Sequence, residues 1–271
     1  MGAAIIIPAR YASSRFPGKP LALLKGRDGT MRPALSYTWQ AGLAAARRLG
    51  PETLCIIATD DARIADFARC EGMEVALTPG SCSNGTERCA ATLGSIAGAV
   101  DLVVNLQGDA PLTPASMVAA VAARLLSEPS LAMATAAIPA GPDVLAHLQA
   151  DAAAGRVGGT TVVCDRRDRA LYFSKSLIPH APQGAAPLAG MLLHLGLYAY
   201  RPEALHAYAA LGPAPLELQE GLEQLRFLEA GLPVGVAICD PPAWEMIELN
   251  NPTDVPLIEA ELACRAEREL M

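Results

Sequence analysis

Aromatic residues are scarce: Phe, Tyr and Trp make up only 4% of this 271-residue chain, although 52% of it is apolar. The core is therefore expected to be built from Ala, Val, Leu and Ile. No window reaches about 18 uninterrupted apolar residues, so no spanning helix is expected. The opening MGAAIIIPARY lacks the basic segment and cleavage site of a secretory signal, and its apolar run is short. Gly2 is followed by Ile6 where an N-myristoylation acceptor wants Ser or Thr. The seven cysteines form no C-x-x-C pair and leave an odd count, which fits a reduced, cytoplasmic protein. Cys55, Cys164 and Cys239 lie inside apolar runs and read as small core residues. The four histidines show no H-x-x-x-H spacing, which argues against zinc. No G-x-G-x-x-G follows the first apolar run, so a dinucleotide-binding oxidoreductase is disfavoured. A net charge of −7 argues against a nucleic-acid surface, which would need Lys and Arg to neutralise phosphates.

Against that acidic background, one cationic stretch stands out. Ile5 to Gly18 reads IIIPARYASSRFPG, a β-branched run that ends at a proline and opens onto a polar loop. Arg10, Arg15 and Lys19 lie there among Ser13, Ser14 and Gly18. Cations and small residues directly after a buried strand suit a polyanionic phosphate; the competing reading is a solvated surface loop.

Apolar runs alternate with helix-length segments through the first half. Strands are expected at Ala3 to Pro8, Thr53 to Thr59, Met73 to Leu77 and Asp101 to Leu106. Helical spacing is expected over Pro33 to Leu49, Ala62 to Cys70 and Asn84 to Ala97. This order specifies a mostly parallel sheet covered on both faces, with ligands beyond the carboxyl ends of its strands. The loop at 9–19, the pair Asp60–Asp61 and Gln107-Gly108-Asp109 would share that edge. The second half is less regular. Met133 to Ile138, Thr160 to Asp165, Ala170 to Ser174, Leu192 to Tyr200 and Val234 to Cys239 read as strands, with a loop and short helix between the first two. His194, Tyr198 and Tyr200 fall on one alternating face. Ile178 to Gly190, rich in Pro, Gly and Ala, reads as a flexible excursion. Leu216 to Ala230 reads as one amphipathic helix, and Asn251-Pro252 as the start of another running to about Arg268.

Asp109 ends an apolar strand beside Gly108, a placement that suits a hard cation bridging phosphates as well as a simple turn cap. Ser83 to Arg88, SNGTER, is a polar turn entering a helix, whose N–H groups and hydroxyls suit a base or ribose. Capping by Asn84 or Thr86 is compatible with that role.

Taken in order, IIIPARYASSRFPGKPL, ATDD, SNGTERCAAT, VVNLQGDAPLTP, ALYFSKSLIPH, HLGLYAYRPEAL and PLELQEGLEQLRFLEAG resemble the bacterial CMP-Kdo synthetases, the 3-deoxy-manno-octulosonate cytidylyltransferases, over roughly residues 3 to 260. The resemblance implies a Rossmann-like nucleotidyltransferase α/β fold, a mostly parallel mixed sheet flanked by helices with a smaller β-rich lobe. It implies a CTP-binding half over 1–130, an acceptor-binding and dimerisation lobe over 131–240, and a closing loop and C-terminal helix over 241–271. The implied enzyme is a Mg²⁺-dependent homodimer that joins CMP from CTP to a small acidic acceptor and releases diphosphate, with no nucleic-acid or membrane partner. Carried over by position, Arg10, Ser13, Arg15 and Lys19 look like triphosphate contacts; Asn84, Gly85, Arg88 and Gln107 look like cytidine-pocket residues. Arg10, Lys19 and Asp109 look catalytic, Asp109 and Asn250 metal-binding, and His194, Tyr198, Glu223 and Gln224 acceptor-facing.

Five positions depart from the family pattern. Ala110 replaces a glutamate, Thr161 a lysine, Lys175 and Leu193 arginines, and Asn250 the second metal-binding aspartate. An Asn oxygen still coordinates Mg²⁺ but brings no charge. These changes keep a phosphonate acceptor open beside a sugar acid, and also a weakened homologue that binds nucleotide without turnover.

Overall fold

A computed structural model describes residues 2–180 and 190–264 of the chain. The chain opens with β1 (Ala3–Pro8), whose residues from Ala3 to Ile7 are all buried. Full burial without alternation marks a strand covered on both faces. Loop 9–18 and a 3-10 turn at Lys19–Leu21 then lead to a small antiparallel hairpin, β2 (Leu23–Lys25) with β3 (Met31–Pro33). Helix α1 (Ala34–Leu49), β4 (Leu54–Thr59), α2 (Ala62–Cys70), β5 (Val75–Leu77), α3 (Gly85–Leu93) and β6 (Leu102–Leu106) complete the first half. Helix α4 (Ala115–Ser127), β7 (Met133–Pro139), α5 (Pro142–Ala153), β8 (Thr161–Cys164), β9 (Ala170–Ser174) and β10 (Leu192–Tyr200) follow. Helices α6 (Pro202–Ala210), α7 (Pro215–Glu220) and α8 (Leu225–Glu229), then β11 (Val234–Ile238) and α9 (Val255–Cys264), end the described chain.

The sheet runs β11-β7-β10-β6-β1-β4-β5. β10 is antiparallel to both of its neighbours, and the other pairings along this path are parallel. β8 pairs with the start of β10 and carries β9, so the β-rich extension is continuous with the main sheet. Because β1 lies between β4 and β6, the loops after these strands open at one edge.

The two faces of the sheet differ in composition. Ile5, Ile7, Val104 and Leu106 pack with α1 and α4 in an aliphatic layer rich in Ala, as the composition predicts. The opposite face gathers Phe173, Tyr198, Tyr200, Tyr208 and Phe227. With His194 they form a continuous row of ring contacts, centroids 4.9–6.0 Å apart. Half of the few aromatics thus gather on one face, and the rest pack with the aliphatic layer or beside the β2–β3 hairpin.

Several expectations need correction. The single helix over 216–230 is broken: Gly221 adopts a left-handed conformation (φ 63°) that ends α7, and α8 begins only at Leu225. The break places Glu223 and Gln224 on a turn. The helix expected to reach Ala97 ends at Leu93, where Gly94 follows. The short helix after β7 is the 12-residue α5. Cys55 is buried as expected, but Cys164 and Cys239 are only half-buried, near strand ends. The excursion at 178–190 and the end of the C-terminal helix fall largely outside the described residues.

At the working edge, β1 and β6 nearly touch. The Gly108 N–H donates to the Pro8 carbonyl (3.2 Å), and a Cβ on Gly108 would lie 2.6 Å from that oxygen. Gly108→Ala is therefore expected to destabilise the fold by about 1–3 kcal/mol through overpacking of backbone. Denaturant unfolding checks this, and a change under 0.5 kcal/mol by the usual surface standard, roughly, would refute it.

Candidate active site

A pocket opens over the carboxyl ends of β1 and β6 and the start of α3. Arg10, Lys19, Asn84, Gly85, Gln107, Asp109 and Glu223 line it, together with Arg88 in its wall. Loops far apart in sequence meet here because the parallel order brings their strands together.

At one end lie the loop cations. Gly18 turns the chain in the left-handed region (φ 73°), its N–H donating to the Tyr11 carbonyl (2.8 Å), and so aims Lys19 back over the sheet edge. Lys19 Nζ forms an ion pair with Asp109 and also donates to Asn250 Oδ1 (3.4 Å). The same Asn250 oxygen accepts from Arg15 Nη2 at 2.9 Å. The Leu249 N–H donates to the Asp109 carbonyl (2.8 Å), pinning the late segment to the β6 tip. Arg10 is exposed at the rim. Ser13 does not line the pocket; its Oγ accepts from the Phe16 N–H (3.4 Å) and shapes the loop.

The middle is built by the N-terminus of α3. Asn84 caps it, Oδ1 accepting from the Glu87 N–H (2.8 Å), while its Nδ2 donates to the Tyr208 hydroxyl (2.8 Å). A Cβ on Gly85 would sit 3.0 Å from both Asn105 Nδ2 and Gln107 Nε2, so glycine lets the helix end approach these amides. Gln107 Nε2 donates to Asn105 Oδ1 (3.2 Å). Arg88 is almost wholly buried; it donates to Thr78 Oγ1 and pairs with Asp60 at 3.4 Å. Its charge is partly matched inside the protein, and it forms wall as much as contact.

Of the four acceptor-facing candidates, Glu223 alone lines the pocket. Its carboxylate accepts from the Thr86 N–H (3.1 Å), and burial raises its pKa above the ordinary Glu value. His194, Tyr198 and Gln224 form a layer behind. The Tyr198 hydroxyl donates to Gln224 Oε1 (3.4 Å), His194 Nε2 contacts Thr135 Oγ1 (3.0 Å), and Gln224 Nε2 is buried without a partner. Desolvation holds the His194 ring neutral, its pKa pushed down to about 3.

Three groups that sequence reasoning passed over complete the site. Arg226, buried under α6, pairs with Glu217 (2.6 Å) and Glu87 (3.3 Å) and stacks on the Tyr208 ring, clamping α8 to the start of α3. Asn105 breaks the apolar run of β6 and keeps a buried, unpaired Nδ2. Glu248 lies two residues before Asn250, whose Nδ2 reaches its carboxylate at 3.4 Å. The polar residue inside the VVNLQ run was the available signal for Asn105.

The departures separate into two kinds. Thr161 is buried, donating to the Ser176 carbonyl (2.8 Å) and accepting from the Ile178 N–H (3.2 Å), so its work is structural. Ala110, by contrast, borders a largely apolar pocket with Leu112, Leu195, Gly196 and Met246, into which Glu248 already brings one carboxylate.

Comparison with known proteins gives this geometry its context. The sequence model of the family described as cytidylyltransferase matches residues 4–238. The chain belongs to the cytidylyltransferase family. It is 40% identical over 269 residues to the 3-deoxy-manno-octulosonate cytidylyltransferase of Maricaulis maris, covering 98% of this chain and 99% of that one. A mitochondrial 3-deoxy-manno-octulosonate cytidylyltransferase of Arabidopsis thaliana is 38% identical, covering 94% and 81%. A solved structure of CMP:2-keto-3-deoxy-manno-octonic acid synthetase complexed with CTP superposes with a TM-score of 0.81 at 30% identity, covering 97% of this chain and 99% of that one. As a cytidylyltransferase the chain is a CTP-dependent enzyme on a central, mostly parallel sheet flanked by helices. No described helix is long and apolar enough to cross a membrane.

The depressed His194 pKa has a stability consequence. Below the ordinary value of 6.5 the unfolded chain takes a proton that the folded ring refuses until about pH 3, so stability falls as pH drops through that window. The limiting slope is about 1.4 kcal/mol per pH unit. His194→Gln is expected to flatten the dependence of unfolding free energy on pH between 6 and 4, roughly, by up to that slope. An unchanged slope in the variant would contradict the buried neutral ring.

Proposed function

We propose that this cytidylyltransferase transfers CMP from CTP to 3-deoxy-manno-octulosonate, Kdo, with release of diphosphate. The observation that carries the reading is the convergence of Lys19, Asp109 and Glu223 on one pocket, in a chain whose relatives named for this acceptor match it along nearly its whole length. Arg10, Arg15 and Lys19 hold the triphosphate, and Asn84, Gly85 and Gln107 meet the cytidine. Glu223 receives acceptor hydroxyls, with Tyr198 and Gln224 supporting it from behind. Residues 1–130 serve the nucleotide, 131–240 the acceptor, and 241–264 close over the phosphates.

The chemistry is a direct displacement. An acceptor oxygen attacks the α-phosphorus as the bond to the diphosphate oxygen breaks, so positioning and charge stabilisation are the protein's work. Lys19 and the loop arginines neutralise charge on the nonbridging oxygens and the departing diphosphate. No enzyme nucleophile takes part: burial raises the Cys82 thiol, the sulfur in the pocket wall, away from its thiolate form. The donor set of Asp109 carboxylate and Asn250 amide oxygen is hard and suits Mg²⁺, and both oxygens already face the Lys19 ammonium, which supports a cation-binding role for the pair. When bound, Mg²⁺ supplies further neutralisation of the phosphates.

Incubation with CTP, Mg²⁺ and Kdo should release diphosphate, and a panel of phosphonates should not. Release with a phosphonate alone would replace the acceptor, and absence of CTP binding would remove the whole reading. Asp109→Ala should abolish turnover, and Lys19→Met should lower kcat by about 10²–10³-fold, the scale of losing one preorganised charge contact. Near-normal turnover in either variant, measured by diphosphate release, would overturn its assigned role.

A further inference from the structure

We propose that Glu248 supplies the second negative charge facing the phosphate-bound cation, beside Asp109, a contribution that the neutral Asn250 cannot make. The inference rests on the Mg²⁺-dependent reading above. Its starting point is the backbone. Leu249 is buried, and its N–H donates to the Asp109 carbonyl at 2.8 Å, so the 248–250 strip lies against the tip of β6. Glu248 and Asn250 flank Leu249, and their side chains meet, Nδ2 of the amide donating to Oε2 of the carboxylate at 3.4 Å.

The carboxylate is held against β10. A Cβ on Gly196 of β10 would come within 3.3 Å of Glu248 Oε1 and 3.9 Å of Gln107 Cγ. Glu248 therefore occupies a cleft that glycine leaves open, on the side of β10 where Gln107, two residues before Asp109, also comes close. It also lines the apolar pocket that Ala110 borders, while Gln107, beside the same Gly196 position, lines the candidate active site.

Charge argues the same way. The oxygen of Asn250 already accepts from Arg15 and Lys19, while Asp109 pairs with Lys19. Two cations therefore face one carboxylate, a net of +1, and a divalent cation would meet a repulsive environment. Glu248, whose neighbour across 3.4 Å is a neutral amide, adds a second carboxylate to that group, its pKa raised by burial and by the nearby Asp109 charge. Oxygen-ligand charge count is the main lever on affinity for hard divalent cations. The negative charge has been placed two positions earlier on the same extended strip, and the amide at 250 orients it.

The test reads metal binding without turnover. Mn²⁺ affinity is measured by electron paramagnetic resonance in the presence of CTP with a methylene bridge between its α- and β-phosphorus atoms, for the full chain and for Glu248→Gln, Asn250→Asp and the double variant. Glu248→Gln should weaken Mn²⁺ by about tenfold, the low end of what loss of a metal-site partner costs. Binding of the analogue without metal and the melting temperature should stay unchanged, and adding Asn250→Asp should restore the lost affinity. Mn²⁺ affinity within twofold of the unmodified chain in Glu248→Gln, or no recovery in the double variant, would overturn the proposal. Failure of the unmodified chain to bind the analogue would instead overturn the cytidylyltransfer reading, and this proposal with it.

Discussion

The ion pair between Lys19 and Asp109 is the contact on which the rest of the site depends. It joins the loop after β1 to the tip of β6, residues 90 apart in sequence. The sheet order makes this possible by laying those two strands side by side. The close approach of Gly108 to Pro8 then leaves no slack between the two tips. Asn250 and Leu249 attach the late segment to the same two residues, so three distant pieces of chain share one anchor. Both side chains are largely but not wholly enclosed, which places the pair between a weak surface bridge and a costly buried one. The Lys19 ammonium is therefore held in a fixed orientation at the mouth of the pocket.

The second organising feature is the aromatic layer beneath the pocket. Rings from β9, β10, α6 and α8 are in contact, and Asn84 reaches down from the helix start to the Tyr208 hydroxyl. Arg226 stacks on the same ring and carries the charges of Glu217 and Glu87. This buried network fixes the start of α3 relative to the turn that carries Glu223. The start of α3 and the Glu223 turn, which form two walls of the pocket, are thus tied to one another. That explains why His194, Tyr198 and Gln224 sit behind the surface: they support the residue that faces the pocket.

Much of this was legible in the sequence where local pattern and global placement agree. β1, β9, β10 and α2 lie where their apolar spacing puts them, because each meets a single dominant burial requirement. The loop at 9–19 and Asp109 were visible as polar residues at the ends of apolar runs. The single helix over 216–230 was misread because its apolar spacing continues across Gly221, which caps α7 in the left-handed region and turns the chain out of the helix. The hairpin of β2 and β3 and helices α4 and α6 left weak signals, the first being short and the helices rich in Ala. Glu248 and Arg226 could not be singled out, since the role of each comes from partners distant in sequence. Thr161 shows the converse: a departure from the family pattern that the structure absorbs into backbone hydrogen bonds.

The central claim is that one preorganised site moves CMP directly from CTP to the acceptor. Its most direct test is the stereochemical course at the α-phosphorus, followed with a single diastereomer of CTP carrying sulfur on that phosphorus and read by phosphorus NMR of the product. A single in-line displacement predicts inversion. Retention would require a covalent cytidylyl-enzyme formed by a nucleophile in the pocket, and would contradict the account.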